Sequence, residues 1–178
     1  MTLRPFLLPV LLLAGLQLRG QNPWHEKFVR SLPLLGSQNW IVVAEPAYPL
    51  ENSSGIEVVA TDLSQPDLLT AVLAALAQAP QVRPVFYTAA ELSFVPEQDA
   101  NGIGAYRAQL ATLLKGGEVA SAPQADIKAK LEDVSRTYRV LVLKSTTMLP
   151  FSSVFIQLDS GYWSAEAEKR LRAAMQPK

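Results

Sequence analysis

Short apolar runs of strand length alternate with longer helix-like segments along most of this 178-residue chain. The run Trp40–Ala44 contains no polar residue, and residues 139–143 contain the most strongly apolar run. These runs lack the polar alternation of a half-exposed strand, so both of their faces are expected to be buried. Strands of this kind separated by helices are typical of a largely parallel sheet between two helical layers. The pattern therefore predicts one three-layer α/β/α domain.

Six strands and five helices follow from this pattern. Prolines and the Gly116-Gly117 pair mark breaks between them. Ser164 supplies the hydroxyl that a helix N-cap needs, directly before the last predicted helix. The predicted strands are residues 40–44, 56–60, 84–88, 118–121, 139–143 and 154–158, and the predicted helices are residues 24–35, 67–79, 100–115, 124–137 and 164–175.

The composition excludes several classes of function. Sixteen basic residues balance sixteen acidic ones without a basic stripe, so nucleic acid is not an expected partner. The chain has no cysteine and one histidine, His25, which leaves little material for disulfides, zinc sites or histidine triads. Gly102-Ile-Gly104 neither follows a predicted strand nor continues to a third glycine, so no phosphate loop is expected. We expect no metal and no cofactor.

The first twenty residues have the features of a secretory signal peptide. Arg4 gives a positive start, and residues 6–18 form an almost unbroken apolar stretch. That stretch is shorter than the ~20 residues of a typical membrane span. We expect cleavage after Gly20, a mature domain at residues 21–178, a periplasmic or secreted location, and no membrane contact afterwards. An uncleaved membrane anchor or a buried N-terminal helix is the alternative interpretation.

Candidate chemical groups follow the predicted strands at their carboxyl ends, where open α/β sheets usually bind ligands. These ends carry residues 45–48, 88–91 and 144–147. Glu45 is the best single candidate for an acid or base, although a carboxylate there is also typical of an exposed loop. Tyr106 and Arg107 lie on a predicted helix, where the alternative is a packed ring beside a solvated guanidinium.

Three segments resemble the ribose pyranase and fucose mutarotase family (RbsD/FucU). Leu-Gly-Ser-Gln-Asn at residues 35–39, followed by a strand and Glu-Pro, is similar to the family's opening signature. Pro-Val-Phe-Tyr-Thr-Ala-Ala-Glu at residues 84–91, with Tyr-Arg at 106–107, resembles the fucose mutarotase branch. Residues 140–158 parallel the closing block. The resemblance covers about residues 28–162 and implies an RbsD/FucU-like fold with an added C-terminal helix.

The family interconverts the cyclic forms of free monosaccharides without a cofactor, and its members form rings of subunits. The resemblance therefore implies a monosaccharide ligand and a homo-oligomer. Its chemistry needs one group to take a proton from the anomeric hydroxyl and another to protonate the ring oxygen. By position, Glu45 replaces the family aspartate and is the catalytic candidate. The implied substrate-binding residues are Ser37, Glu91, Tyr106, Arg107, Phe151 and Ser153.

Several of these positions depart from the family pattern. Ser37 replaces a histidine, Phe151 replaces a tyrosine of the closing block, and Ser153 replaces an asparagine. Thr146 and Thr147 replace a glycine and a glutamate. Two hypotheses follow from these losses: an exported, non-catalytic carbohydrate-binding or structural protein with a degenerate site, or a monosaccharide mutarotase that uses Glu45 as acid or base.

Overall fold

A computed structural model describes residues 23–176 as a six-stranded sheet with helices on both faces. The predicted signal peptide and its cleavage position lie outside the described residues. The strands are β1 (Trp40–Ala44), β2 (Ile56–Ala60), β3 (Val82–Ala89), β4 (Glu118–Ala122), β5 (Val140–Lys144) and β6 (Val154–Ser160). The helices are α1 (Pro23–Ser31), α2 (Gln65–Leu76), α3 (Ile103–Leu113), α4 (Gln124–Ser135) and α5 (Ala165–Ala174), with short 3₁₀ helices at Leu32–Leu34 and Ala90–Phe94.

The strand order is β2-β5-β1-β6-β3-β4, and all strands except β6 run in one direction. Strand β6 pairs antiparallel with both β1 and β3. A parallel connection needs a crossover of a dozen or more residues, usually a helix. Only a nine-residue loop, 145–153, joins β5 to β6, so the chain returns in the opposite direction. The carboxyl ends of the other five strands and the start of β6 therefore lie at one edge, here called the carboxyl edge.

The two faces of the sheet are covered unequally. Helices α1, α2 and α3 cover one face, and the alternate side chains Ile41 and Val43 of β1 point into that larger core. On the other face, Trp40 and Val42 pack with Ile127 and other residues of α4. Because side chains alternate across a strand, every residue of β1 is buried, as the unbroken apolar run requires. The predicted three-layer α/β fold is confirmed.

A fully buried amide holds the carboxyl edge together. The side chain of Gln65, at the start of α2, donates to the carbonyl oxygens of Val43 at 2.7 Å and Ser152 at 2.8 Å. Its oxygen accepts the Ser145 hydroxyl at 2.6 Å, and its backbone N–H donates to the Thr147 hydroxyl at 2.8 Å. One residue thus joins α2, β1 and both ends of the β5–β6 loop, which we call the Gln65 network.

Several element boundaries differ from the sequence prediction for local reasons. The first helix ends at Ser31 and continues as a 3₁₀ turn, because Pro33 has no N–H to continue an α-helix. Helix α2 starts two residues earlier than predicted, since the Ser64 hydroxyl accepts the Asp67 N–H and caps it. Helix α3 starts three residues later, after Gly102 at φ +87°. The helix after Ser164 forms as predicted, with the Ser164 hydroxyl accepting the Ala167 N–H.

Helix α5 differs from the other four helices in having no buried residue. It follows β6 and bears exposed apolar side chains, although it is well capped. Among residues 23–176, no helix is both long enough and apolar enough to cross a membrane.

We predict that Gln65→Leu lowers the free energy of unfolding by about 3 kcal/mol, because a buried acceptor or donor left without its partner costs about 1–3 kcal/mol. Urea denaturation of both proteins measures the loss. Gln78→Leu is the matched control, since Gln78 follows the same helix and is exposed, and its effect should stay within about 0.5 kcal/mol. Equal effects of the two substitutions would contradict a structural role for the amide.

Candidate functional site

The carboxyl edge brings together residues that are far apart in sequence. On β1, Ala44 pairs with Lys144 of β5, and Val43 pairs with Val154 of β6. Glu45 therefore leaves β1 beside the β5–β6 loop. Both the carboxyl ends of parallel strands and the entry to β6 converge here, which is the usual place for a ligand in an open α/β sheet.

Glu45 and Ser153 form the centre of this edge. Both side chains are buried, with Glu45 8% exposed. The Ser153 hydroxyl donates to Glu45 Oε2 and accepts the Glu45 backbone N–H at 3.3 Å. The Glu45 carboxylate is therefore already bound by a partner within the same chain.

The electrostatic environment of Glu45 has two opposing parts. Burial removes water from the carboxylate and raises the Glu45 pKa above its ordinary value of 4.5. Its own backbone N–H, the Lys128 ammonium, the Ser153 backbone and the Lys144 ammonium act in the other direction, yet the net shift is upward. Lys144 Nζ also donates to the Tyr48 carbonyl at 2.7 Å, which holds the β1–β2 loop against β5.

Tyr48 and Lys128 close the side of the site that faces α4. Lys128 Nζ lies 5.1 Å from the centre of the buried Tyr48 ring, a cation–π distance. Burial, followed by the nearby Glu51 carboxylate, raises the pKa of the Tyr48 hydroxyl far above its ordinary range. The phenol therefore stays protonated and is unsuited to act as a base near neutral pH.

Tyr106 lies on the other side of the same loop. Its hydroxyl donates to the Ser152 carbonyl at 2.5 Å, the oxygen that also accepts the Gln65 amide. Burial raises the pKa of Tyr106 well above its ordinary value of 10.0. Tyr106 thus positions the residue next to Ser153, and its hydroxyl proton is committed to the backbone.

Glu91 and Arg107 make hydrogen bonds that hold secondary structure. Both carboxylate oxygens of Glu91 accept the Gln124 N–H, at 3.0 and 3.1 Å, at the first residue of α4. Such a carboxylate satisfies a free donor at a helix N-terminus and suits its dipole. Arg107 Nη1 donates to the carbonyls of Leu92 at 3.0 Å and Val95 at 2.9 Å, at the end of the second 3₁₀ helix.

Ser37 and Phe151 occupy very different places. Ser37 is exposed and precedes β1, whereas Glu45 follows it, so the five residues of β1, about 16 Å of strand, separate the two. Phe151 is half-buried, packs against the larger core and has φ +59°, a left-handed conformation that is uncommon for a large side chain. It directly precedes the buried pair Ser152 and Ser153.

Of the residues predicted from sequence, the structure brings Glu45 and Ser153 into direct contact. Phe151 lies on the same loop as Ser153, and the Tyr106 hydroxyl reaches that loop from α3. The structure does not bring Ser37 near Glu45 within one chain, and it gives Glu91 and Arg107 partners elsewhere. Sequence reasoning missed Gln65, Lys128 and the side chain of Lys144. The position of Lys144 at the end of a strand was an available signal, whereas Gln65 and Lys128 lie in helices without any motif.

Residues 23–176 contain no group of three or more histidine, cysteine, aspartate or glutamate side chains that could hold a metal ion. The arrangement at Glu45 consists of one buried carboxylate, one hydroxyl and two ammonium groups. Chemically, it can accept or donate hydrogen bonds and exchange a proton at Glu45.

Comparison with known proteins identifies the fold. No protein-family model matches the chain, and no curated protein is similar to it in sequence. Among solved structures, it is similar to Bacillus subtilis RbsD complexed with D-ribose, with a TM-score of 0.52 and 18% identity over 75% of this chain and 91% of that one. FucU from Bifidobacterium longum gives a TM-score of 0.52 and 15% identity over 75% of this chain and 94% of the other. The chain has a divergent RbsD/FucU-like fold.

We predict that Glu45→Gln gains stability relative to the wild type as the pH rises. The raised folded-state pKa means that the wild-type carboxyl contributes its full stability below about pH 4.5 and loses it as the pH passes through the folded-state value. Each unit of pKa shift corresponds to about 1.4 kcal/mol. Urea denaturation from pH 4 to 8 gives the difference between the two proteins at each pH.

The matched control is Asp133→Asn, which removes an exposed carboxylate on α4. Its difference from the wild type should stay within about 0.5 kcal/mol at every pH. A Glu45→Gln difference that is flat, or that falls with rising pH, would contradict the upward shift of the Glu45 pKa.

Proposed function

We propose that this chain is an exported, non-catalytic RbsD/FucU-like protein that binds a monosaccharide or serves a structural role. The main supporting observation is that the polar groups at its carboxyl edge form hydrogen bonds within the chain. The Glu45 carboxylate accepts the Ser153 hydroxyl, and the Tyr106 hydroxyl donates to the Ser152 carbonyl. A ring-opening enzyme needs such groups free for the substrate.

A proton relay also lacks its second member. Mutarotation needs a base at the anomeric hydroxyl and an acid at the ring oxygen, and a positioned acid–base group typically contributes 10²–10⁴-fold to the rate. Phe151 has no hydroxyl, and Ser37 is an exposed hydroxyl at the other end of β1. Tyr48 and Tyr106 have pKa values raised by burial. Glu45 alone cannot both take and return the proton in concert.

A monosaccharide is the proposed ligand because of the fold and the kind of groups at the edge. B. subtilis RbsD, which shares this fold, was solved with D-ribose. Hydroxyl-rich ligands are recognised by mixed donors and acceptors, which here are the ammonium groups of Lys128 and Lys144 and the carboxylate of Glu45. A sugar hydroxyl would have to reach a carboxylate that is only 8% exposed and already accepts the Ser153 hydroxyl, so we expect weak affinity.

An active mutarotase is the second candidate, and one observation favours it. The Glu45 pKa is raised by burial, and a carboxyl whose pKa moves toward neutral is a better general acid and base at physiological pH. In this alternative, Glu45 takes the anomeric proton and water protonates the ring oxygen.

Export and self-association complete the proposal. Residues 1–20 support export because of their short charged and apolar pattern. Self-association is supported by the added helix α5, whose exposed apolar side chains have no partner in residues 23–176 that buries them.

We predict that anomeric exchange of ribose or fucose is undetectable or very slow with this protein. The reason is the missing acid partner of Glu45. Magnetisation-transfer NMR on an equilibrium mixture of sugar anomers measures exchange directly, with buffer alone as the reference and Glu45→Gln as the control. Exchange well above the buffer rate that Glu45→Gln abolishes would overturn the non-catalytic proposal and establish the mutarotase.

We predict that the protein recovered from its native host begins near Gln21. N-terminal sequencing of the purified protein, together with fractionation of the cells, is the measurement. An intact Met1 on protein recovered from the cytoplasm would rule out export.

A further inference from the structure

Helix α5 and the residues that flank it carry an apolar stripe that residues 23–176 leave partly exposed. Trp163, Ala167, Leu171 and Met175 recur every four residues and so lie on one side of the helix. Trp163 is 43% exposed, Leu171 42% and Met175 63%. A ten-residue helix is marginal in water without tertiary packing, since helices shorter than about 12–15 residues rarely hold alone. A partner surface that buries the stripe would therefore stabilise α5.

A matching surface lies between α1 and α2. An apolar groove of about 810 Å³ runs between these helices and is open to solvent. On the α2 side its wall is made of alanines, which let another helix approach closely. On the α1 side Val29 is 45% exposed. Ala74 of α2 lies in the alanine wall and is exposed.

The lengths and directions of the two surfaces agree. From Ala167 to Met175 the stripe spans about 12 Å, and the groove wall from Ala71 to Gln78, formed by the end of α2 and the turn after it, spans about 10 Å. Helix α2 leads through residues 77–81 into β3 and so ends toward the edge where the parallel strands begin, and α1 leads toward the start of β1 through the first 3₁₀ helix and residues 35–39. An α5 helix lying antiparallel to both would also oppose their dipoles favourably.

Charge supports the same orientation. Helices α1 and α2 carry Glu26 and Asp67 in their first turns, whereas α5 carries Arg172 in its last turn. In an antiparallel arrangement the basic end of α5 meets the acidic ends of α1 and α2. The acidic first turn of α5 then lies toward the opposite end of the groove, away from Glu26 and Asp67.

The chain's own α5 does not fill this groove, although the segment before it lies close by, since the Gly161 N–H donates to the carbonyl of the groove residue Gln81 at 3.1 Å. The groove is open to solvent, with Val29 45% exposed, and Leu171 on α5 is 42% exposed. Both surfaces are therefore partly exposed in residues 23–176.

We propose that α5 of one copy docks antiparallel into the α1–α2 groove of a second copy of this chain. If the two copies exchange helices, each contributes one stripe and one groove. This inference rests on the self-association proposed above and assigns it a surface. It is independent of the sugar site at Glu45, which lies at the carboxyl edge.

Disulfide trapping in the full chain tests the docking, because the chain has no cysteine of its own. Ala74→Cys and Leu171→Cys are made as separate proteins, mixed in equal amounts and oxidised mildly. We expect a disulfide-linked heterodimer that forms at least tenfold faster than the linked dimer of either protein alone. Ala108→Cys, an exposed position on α3, replaces Ala74→Cys as the matched control and should not be trapped.

The double variant Ala74→Cys/Leu171→Cys distinguishes docking between two copies from docking within one chain. A linked dimer on non-reducing gels supports exchange, whereas a fast-migrating linked monomer would show that α5 closes on its own groove and would overturn the proposal. Light scattering then compares Leu171→Asp with Lys169→Asp, on the opposite side of α5. We expect Leu171→Asp to raise the dissociation constant at least tenfold and Lys169→Asp less than threefold.

Two further outcomes are informative. An oligomer by light scattering that resists trapping and is unaffected by Leu171→Asp would overturn the α5 surface while leaving self-association intact. A protein that is monomeric at all concentrations would overturn both the α5 surface and the proposed self-association.

Discussion

The structure depends on one buried amide. Gln65 is fully enclosed, yet each of its side-chain polar atoms has a partner, on β1, after β5 and before β6. A buried polar group is stabilising only when it is satisfied in this way. Because β5 and β6 are joined by a loop without a helix, that loop depends on side chains from α2 and α3 for its position. The amide fixes it from inside, and through Ser152 it sets the position of Ser153 against Glu45.

The same network also explains why the polar groups of the carboxyl edge are hydrogen-bonded within the chain. An acid–base site needs groups that are held firmly but have an unused donor or acceptor for substrate. Here the groups that hold the edge together are also the candidate reacting groups. The Glu45 carboxylate accepts the Ser153 hydroxyl, and the Ser152 carbonyl accepts both the Tyr106 hydroxyl and the Gln65 amide. The hydrogen bonds that make the edge rigid therefore use part of the donor and acceptor capacity that a reaction would need.

The sequence predicted the bounds of the strands and helices better than the hydrogen-bond partners of the site residues. The bounds of β1 and β2 were correct to the residue, because an apolar run flanked by prolines or glycine has few alternative structures. The direction of β6 was not predictable from its own residues, since it depends on the length of the loop before it. The resemblance correctly gave the fold, and Glu45 does lie at the carboxyl edge. The partners of Glu91 and Arg107 are backbone atoms, which no side-chain motif can reveal, and Gln65 lies in a helix whose neighbours become apparent only in three dimensions.

The hydrogen bonds of Glu91 and Arg107 have a consequence for how related sequences are sorted. These two residues match the pattern on which the resemblance rests, yet in this chain the Glu91 carboxylate accepts the first N–H of α4 and the Arg107 guanidinium donates to carbonyls at the end of a 3₁₀ helix. A residue that the fold itself requires will persist after the chemistry is lost. A search that uses this glutamate and arginine as markers would therefore collect any chain that keeps the fold, whether or not it keeps the chemistry. The positions that discriminate are those whose side chains the fold can do without, such as Ser37.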